Sequence, residues 1–463
     1  MSATIARQFA EHCVELSLND LNDEAVDYTK RLLFDTLGTT VGGYDWSDSA
    51  DVVLDTARTL HGGEDDGAAT VLATGERFAA AEAGFANGAL SHSLDYDTRH
   101  SPGSLHIGSS VVPAALAAAE TANADGQTLL ESIIAGYDVA ARLGMACNPR
   151  SSHERGFHPT GTCGTFAATA AVGVINGLDT GALVAAFGVN GSQASGGYQC
   201  SVSGGWNKRI HPGLAAQSAF TAIAFAKNGF EGPPDPIEGE LGFLKAYANR
   251  PRPERAVKDL GTVYEATKTK IKPYPVGTFA HVPIALLVEI ATERDLDPTE
   301  IKEIVVEIPT SGAEMFGRDE ADTYPTTSAE AQFDMPFAAA LAVTQREAGL
   351  TAFNEVLFTE DDLFDQIMTR TRTIGSDDLE AFLPELYPAR VVVRTEGERF
   401  ERFREWVLGE PSHPMPWSDL ESKFIDLTPR FSESDRADIV DTIRSIETRE
   451  VRDLTEMFRS AVE

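Results

Sequence analysis

The sequence predicts a mostly helical protein with a smaller α/β domain, and three observations carry that reading. Up to about residue 255, apolar residues recur at helical spacing and no stretch alternates convincingly with a period of two. Near residue 260 the composition changes, and Ile304–Ile308 and Ala389–Arg394 read as strands. From Trp417 onward Phe424, Leu427, Ile439, Ile443 and Leu454 restore the helical pattern. A chain of 463 residues also exceeds one ordinary core.

Taken in order, Asn22-Asp23-Glu24 opens a first helix with Val26, Leu33, Leu37 and Val41 on one stripe and Gly42-Gly43 to stop it. Ala-rich segments predict helices over 77–90 and 111–122, and Leu129, Ile133, Val139 and Leu143 predict one over 128–146. Small residues dominate the next helix, 162–175. In the α/β part, helices are expected over 282–294 and 328–345, and Thr395-Glu396-Gly397-Glu398 reads as a hairpin turn.

The charge is unusual: 38 basic against 71 acidic residues leave a formal −33. Nucleic acid is disfavoured as a partner, because phosphate binding needs a basic footprint. Such a charge suits a protein kept soluble in concentrated salt, where screening removes self-repulsion, so a halophile's cytoplasm is expected. Cys13, Cys147, Cys163 and Cys200 lie far apart without a CxxC pair, which predicts four reduced core thiols. Residues 160–207 carry one charge, Asp179, yet are rich in Gly, Thr and Ser. A buried helix pair is expected there, not a membrane span.

Against this acidic background four polar islands stand out. Ser91–Glu120 holds Asp95, Asp97, His92, His100 and His106 where a loop feeds a helix. Arg155-Gly156-Phe157-His158-Pro159 places a histidine at a helix N-terminus, where free N–H groups and the helix dipole favour an anion. Lys208-Arg209-Ile210-His211 brings the first lysine since Lys30, in a glycine-rich stretch read as a loop. It fits no GxxxxGK[ST] or GxGxxG pattern, which disfavours nucleotides. Lys268, Lys270 and Lys272 alternate before Pro273-Tyr274-Pro275, so an extended segment would present all three on one face.

The resulting inventory is Asp95, Asp97, His106, His158, Lys208 and Lys272, with Arg99, Arg155, Arg209 and His281 nearby. Cations with histidines and one or two carboxylates suit a polycarboxylate substrate: the cations neutralise it and a histidine or lysine moves a proton. The rival is a metal centre built from Asp95-x-Asp97 with His100 and His106. A coordinated cation beside so many lysines would be repelled, so metal-free chemistry is the preferred reading.

These residues fall in an ordered set: HSLDYD and SLH, then VVPAALAAAE, GYDVAARLG, RGFHPTGTCGTFAATAA, KRIHPGLAAQSA, IKPYP, AEAQFDMPFAAALA and LGEPSHPMPWSDLESKF. Together they resemble the MmgE/PrpD family, which includes 2-methylcitrate dehydratase, cis-aconitate decarboxylase and iminodisuccinate epimerase. The resemblance implies a helical domain over 1–265, an α/β lid domain over 266–408 and C-terminal helices over 409–463 that return to the helical domain. It also implies a homodimer, no cofactor and no metal, with catalytic residues at Asp95, His106, His158, Lys208 and Lys272. The inventory adds Arg99, Arg155, Arg209 and His281 as substrate-binding candidates, and the departure from the family pattern adds Thr98. Where many members read D-x-D-D-T, this chain reads Asp95-Tyr96-Asp97-Thr98-Arg99, so Arg99 would add a carboxylate clamp or change the substrate. The implied activity is a metal-independent hydro-lyase, foremost 2-methylcitrate dehydratase of propionate catabolism. Cis-aconitate decarboxylation and iminodisuccinate epimerisation are the alternatives within the family, and a metal-dependent hydrolase or a non-catalytic anion-binding protein the alternatives outside it.

Overall fold

The computed structural model describes residues 3–62, 67–317, 324–356 and 361–462. The chain forms two compact units: Met1–Lys270 with Pro416–Glu463, and Ile271–Met415. In the first unit α1 spans Asp23–Trp46, and the Asn22 side chain caps it by accepting from the Ala25 amide. The pair Gly42-Gly43 does not end this helix. A Cβ at Gly43 would overlap the Leu90 carbonyl and one at Gly42 the Leu427 side chain, so the glycines serve close approach within a continuing helix.

Then follow α2 (Ala80–Ser91), α3 (Gly108–Ala122), α4 (Gly126–Cys147), α5 (Pro159–Ile175) and α6 (Asn207–Lys227). Asp125 caps α4 through the Thr128 amide. Along α3 and α5 nearly every residue is buried, so alanine and glycine line both their faces and the helices pack closely. The weakly charged stretch after residue 160 folds as α5 and a second helix, Thr180–Asn190. Among the described residues no helix is long and apolar enough to cross a membrane. Two short strands, β1 (Arg99–His100) and β2 (Thr269–Lys270), pair antiparallel with Arg99 opposite Lys270. Sequence periodicity is blind to ladders this short.

The second unit holds α7 (His281–Glu293), β3 (Glu303–Pro309), α8 (Met335–Gln345), β4 (Thr371–Ser376), β5 (Ala389–Arg394) and β6 (Arg399–Arg404). The strands form one sheet in the order β4-β3-β5-β6: β3 runs parallel to β4 and antiparallel to β5, and β5 and β6 form the expected hairpin. Alternation along β3 buries Ile304, Val306 and Ile308, and β5 adds Ala389, Val391 and Val393 to the same core as residues of α7 and α8. The helix expected over 328–345 is interrupted: Ser328–Ala331 is a separate turn, and Asp334 starts α8 afresh by capping the Phe337 amide.

Three tail helices, α9 (Trp417–Leu427), α10 (Glu433–Arg444) and α11 (Val451–Val462), belong to the first unit. Phe424 of α9 packs against Phe34 of α1 with the rings tilted by 34° and their centroids 4.5 Å apart. Of the cysteines, Cys13, Cys147 and Cys163 are buried, whereas Cys200 is half-buried and stands apart from the expected core thiols.

Candidate active site

Four segments of the helical unit converge: the turn after α2, the start of α3, the start of α5 and the start of α6. In the turn, Asp95 takes a left-handed backbone conformation (φ 50°), which aspartate tolerates better than most residues. Its buried carboxylate pairs with Lys208 Nζ. Lys208 sits in the first turn of α6, a correction to the loop read from sequence. A helix N-terminus is a poor place for a cation, so Asp95 offsets the helix dipole. Burial penalises the Lys208 ammonium, yet Asp95, with Tyr198 and Asp97 beyond, outweighs it and raises the lysine's pKa.

Two residues on, Asp97 is fully buried. Its Oδ2 lies 2.9 Å from His92 Nδ1 and accepts from the Ser109 hydroxyl, and its Oδ1 lies 3.1 Å from His106 Nδ1. Burial alone would raise this carboxyl; His106 and His92 reverse that and hold it well below the usual carboxylate range. An ionised carboxylate only accepts, so it favours the proton on Nδ1 of both imidazoles. Each ring then presents Nε2 as a lone pair. His106 Nε2 is 4.0 Å from Asp95 Oδ1, and His92 Nε2 has no hydrogen-bond partner among the described residues.

His158 precedes α5, with Pro159 in the first helical position. Its ring is parallel to Tyr198 at 4.7 Å and stacks on His92 at 5.8 Å. Its Nδ1 is 3.0 Å from Nδ1 of His211, one helical turn beyond Lys208. Two facing nitrogens can share one proton only. Burial first, then neighbouring His211, His92 and Lys208, pushes His158 well below the usual histidine value. Burial, His92 and Lys208 push His211 down to about 4. Both rings are therefore neutral near pH 7, next to a charged Asp95–Lys208 pair.

Of the residues singled out from sequence, the structure brings together Asp95, Asp97, His106, His158 and Lys208. Arg99 lies at the edge of the loop, its guanidinium reaching the Ser101 and Ser104 hydroxyls at 3.4 and 3.2 Å. Thr98 is fully buried, with its hydroxyl 3.3 Å from the Tyr137 hydroxyl. Arg155 donates to Asn249 at an exposed position, and Arg209 turns to Asp48 and Ser49. In the second unit Lys272 and His281 both meet the Val276 carbonyl, at 3.2 and 3.0 Å. The three lysines do not share one extended face. Lys268 closes a short 3-10 turn and pairs with Glu265, while Lys270 and Lys272 are buried.

The metal set expected as a rival does not assemble, because His100 faces Glu265 at 3.2 Å. A different trio does: His92, Asp97 and His106 present ligand atoms within 4.8 Å of one another, a spacing that could hold an ion. His92 and His211 stand in the polar islands picked out from sequence but not in the inventory drawn from them, and Tyr198 stands in neither. His211 carried a signal, one turn after Lys208 in an otherwise lysine-poor chain; Tyr198 carried none.

A buried carboxylate beside an imidazole, next to a lysine–carboxylate pair, is an arrangement able to exchange a proton and to neutralise an anionic group. Residues 7–256 match the MmgE/PrpD N-terminal domain and residues 274–448 the MmgE/PrpD C-terminal domain, so the chain belongs to the MmgE/PrpD family. It is 24% identical over 440 residues to the human cis-aconitate decarboxylase, covering 92% of this chain and 88% of that one. To the cis-aconitate decarboxylase of Aspergillus terreus it is 23% identical over 388 residues, covering 79% and 77%. A cis-aconitate decarboxylase-like protein of Aspergillus oryzae, oryM, is 26% identical over 282 residues, 57% of each chain.

Proposed function

We propose that the protein is a tricarboxylate lyase and that cis-aconitate is its substrate. One observation carries the chemistry: Asp97 Oδ1 stands 3.1 Å from His106 Nδ1, and half-buried Lys208 pairs with buried Asp95 beside them. The names of the relatives, whose similarity extends over up to 92% of this chain, support the choice of substrate. In this reading Lys208 binds a substrate carboxylate and Asp95 releases it on exchange. The bond to the departing carboxylate breaks, its electron pair forms a new carbon–carbon double bond, the existing π pair shifts to the far carbon, and carbon dioxide leaves. The Nε2 lone pair of His106 first takes a proton from solvent, with the Asp97 carboxylate balancing the imidazolium, and then delivers that proton to carbon, which returns the ring to its resting form and balances the step. The neutral His158–His211 pair lines the site without adding charge that would compete for the substrate.

A second reading, dehydration of 2-methylcitrate, is favoured by the two separate acid–base pairs. One can take the C–H proton while the other protonates the leaving hydroxyl. The test is turnover of both substrates by purified protein in high salt, followed by proton NMR, with and without a chelator. Loss of carbon dioxide from cis-aconitate supports the first reading, and a new conjugated double bond from 2-methylcitrate the second. Abolition by chelator would transfer the chemistry to an ion held by His92, Asp97 and His106. No turnover of either by folded protein would refute the lyase assignment.

A further inference from the structure

We infer that Lys423, on tail helix α9, is a positioning residue that clamps the Asp95–Asp97 turn. The inference rests on the site proposed above but concerns a residue outside it. Lys423 is buried, as is Asp35 of α1, whose Oδ1 lies 2.7 Å from the ammonium. The same ammonium donates to the Tyr96 carbonyl at 2.9 Å and lies 3.8 Å from the centroid of the Tyr96 ring. Tyr96 is the one residue between Asp95 and Asp97, so a single side chain grips the midpoint of the turn by backbone and ring together.

The grip has work to do. Asp95 holds a left-handed backbone, while Asp97, two residues on, must reach His92 and His106. Such conformations persist where the surroundings over-determine them. α9 supplies a firm base, since it lies on α1 through Phe34–Phe424 and the close approach at Gly42. Burial pushes the Lys423 ammonium below the usual lysine value, against the pull of Asp35 and then Asp97. Its charge therefore lies within the field of the carboxylate that orients His106. The C-terminal tail thus reaches the site without touching substrate.

A structural ion pair alone would also place Lys423 here, and the test separates the two roles. Removing one partner strands a buried charge, whereas removing both is often tolerated. The double variant Asp35→Asn/Lys423→Met is therefore compared with wild type for melting temperature, for kcat and KM with cis-aconitate, and for amide hydrogen exchange at residues 94–97. The expected result is a melting temperature within a few degrees, an unchanged KM, a kcat lower by about 10²-fold, and faster exchange in the turn. Asp35→Asn/Lys423→Gln, which keeps an amide donor for the Tyr96 carbonyl, should recover part of both losses. Wild-type kcat and exchange in the Met double variant would overturn the clamp, as would identical behaviour of Gln and Met. Failure of both variants to fold would make Lys423 purely structural and overturn it too. Should wild type leave cis-aconitate unchanged, the lyase reading fails by itself, and the exchange data still decide for or against the clamp.

Discussion

The helical unit and the α/β unit bury different chemistry. In the helical unit, alanine and glycine at the contacts bring backbones close, and the space between helix ends is filled by buried His92, Asp97 and His158, with half-buried Lys208 on Asp95. In the α/β unit the core joins Val and Ile of the sheet to Ala, Leu and Phe of its helices, and ion pairs such as Arg404–Glu289 and Arg372–Glu303 lie toward the outside. Close packing of small residues leaves no room for helix ends to shift, so it can hold charges in a fixed relation. The sheet-and-helix core holds few polar groups, Lys272 and His281 on the Val276 carbonyl among them. The difference teaches where substitutions should be felt in turnover and where only in stability.

The largest expected effect falls on the charged cluster. Lys208→Met and His158→Ala should each lower kcat for cis-aconitate by at least about 10²-fold, with the circular dichroism spectrum retained. Near-normal rates in either would remove the site from the helix ends. Next comes packing: Gly213→Ala puts a Cβ against the Phe85 carbonyl, between α6 and α2, and should cost about 1–3 kcal/mol in denaturant unfolding. Loss of activity at full folding would show that the helix spacing itself sets the site.

Acid provides a third contrast. His211 is held neutral with a pKa lowered to about 4, and His158 is lowered in the same direction. An unfolded histidine binds its proton near pH 6.5, so below that value the unfolded state gains protons that the folded state refuses. Unfolding free energy of the helical unit should therefore fall as the pH drops from about 6.5 toward 4, and His211→Asn should flatten that slope. An unchanged slope would mean that these rings are protonated when folded. The smallest effect is reserved for the outer face of the sheet. Arg372, well exposed in its pair with Glu303, should cost less than about 1 kcal/mol when replaced by alanine, with turnover untouched.

Much of this layout was legible in the sequence, for physical reasons. Glycine and proline mark the ends of helices, and Asp95, His106 and His158 announce themselves as polar groups beside such breaks. Lys208 stands out because the chain otherwise avoids lysine. The helical and α/β character followed from the two periodicities, 3.6 and 2. What stayed hidden depends on contacts between segments distant in the chain. Gly42-Gly43 looks like a stop signal and is instead a contact surface for Leu427 and Leu90. Thr98 reads as a substrate ligand, yet its neighbour is Tyr137, 39 residues away. The pairing of His158 with His211 spans 53 residues, and that of Lys423 with Tyr96 spans 327. No local pattern encodes those distances.

The central claim is that Asp97, by holding His106 through Nδ1, makes Nε2 the proton-exchanging atom. The most direct measurement is the kcat of Asp97→Asn with cis-aconitate, read beside KM and the folded spectrum. The side chain keeps its shape but loses the charge that selects the tautomer. The account predicts a fall in kcat on the order of 10²- to 10⁴-fold with KM little changed, as for orienting carboxylates in general. A folded Asp97→Asn protein that turns over at the wild-type rate would contradict it.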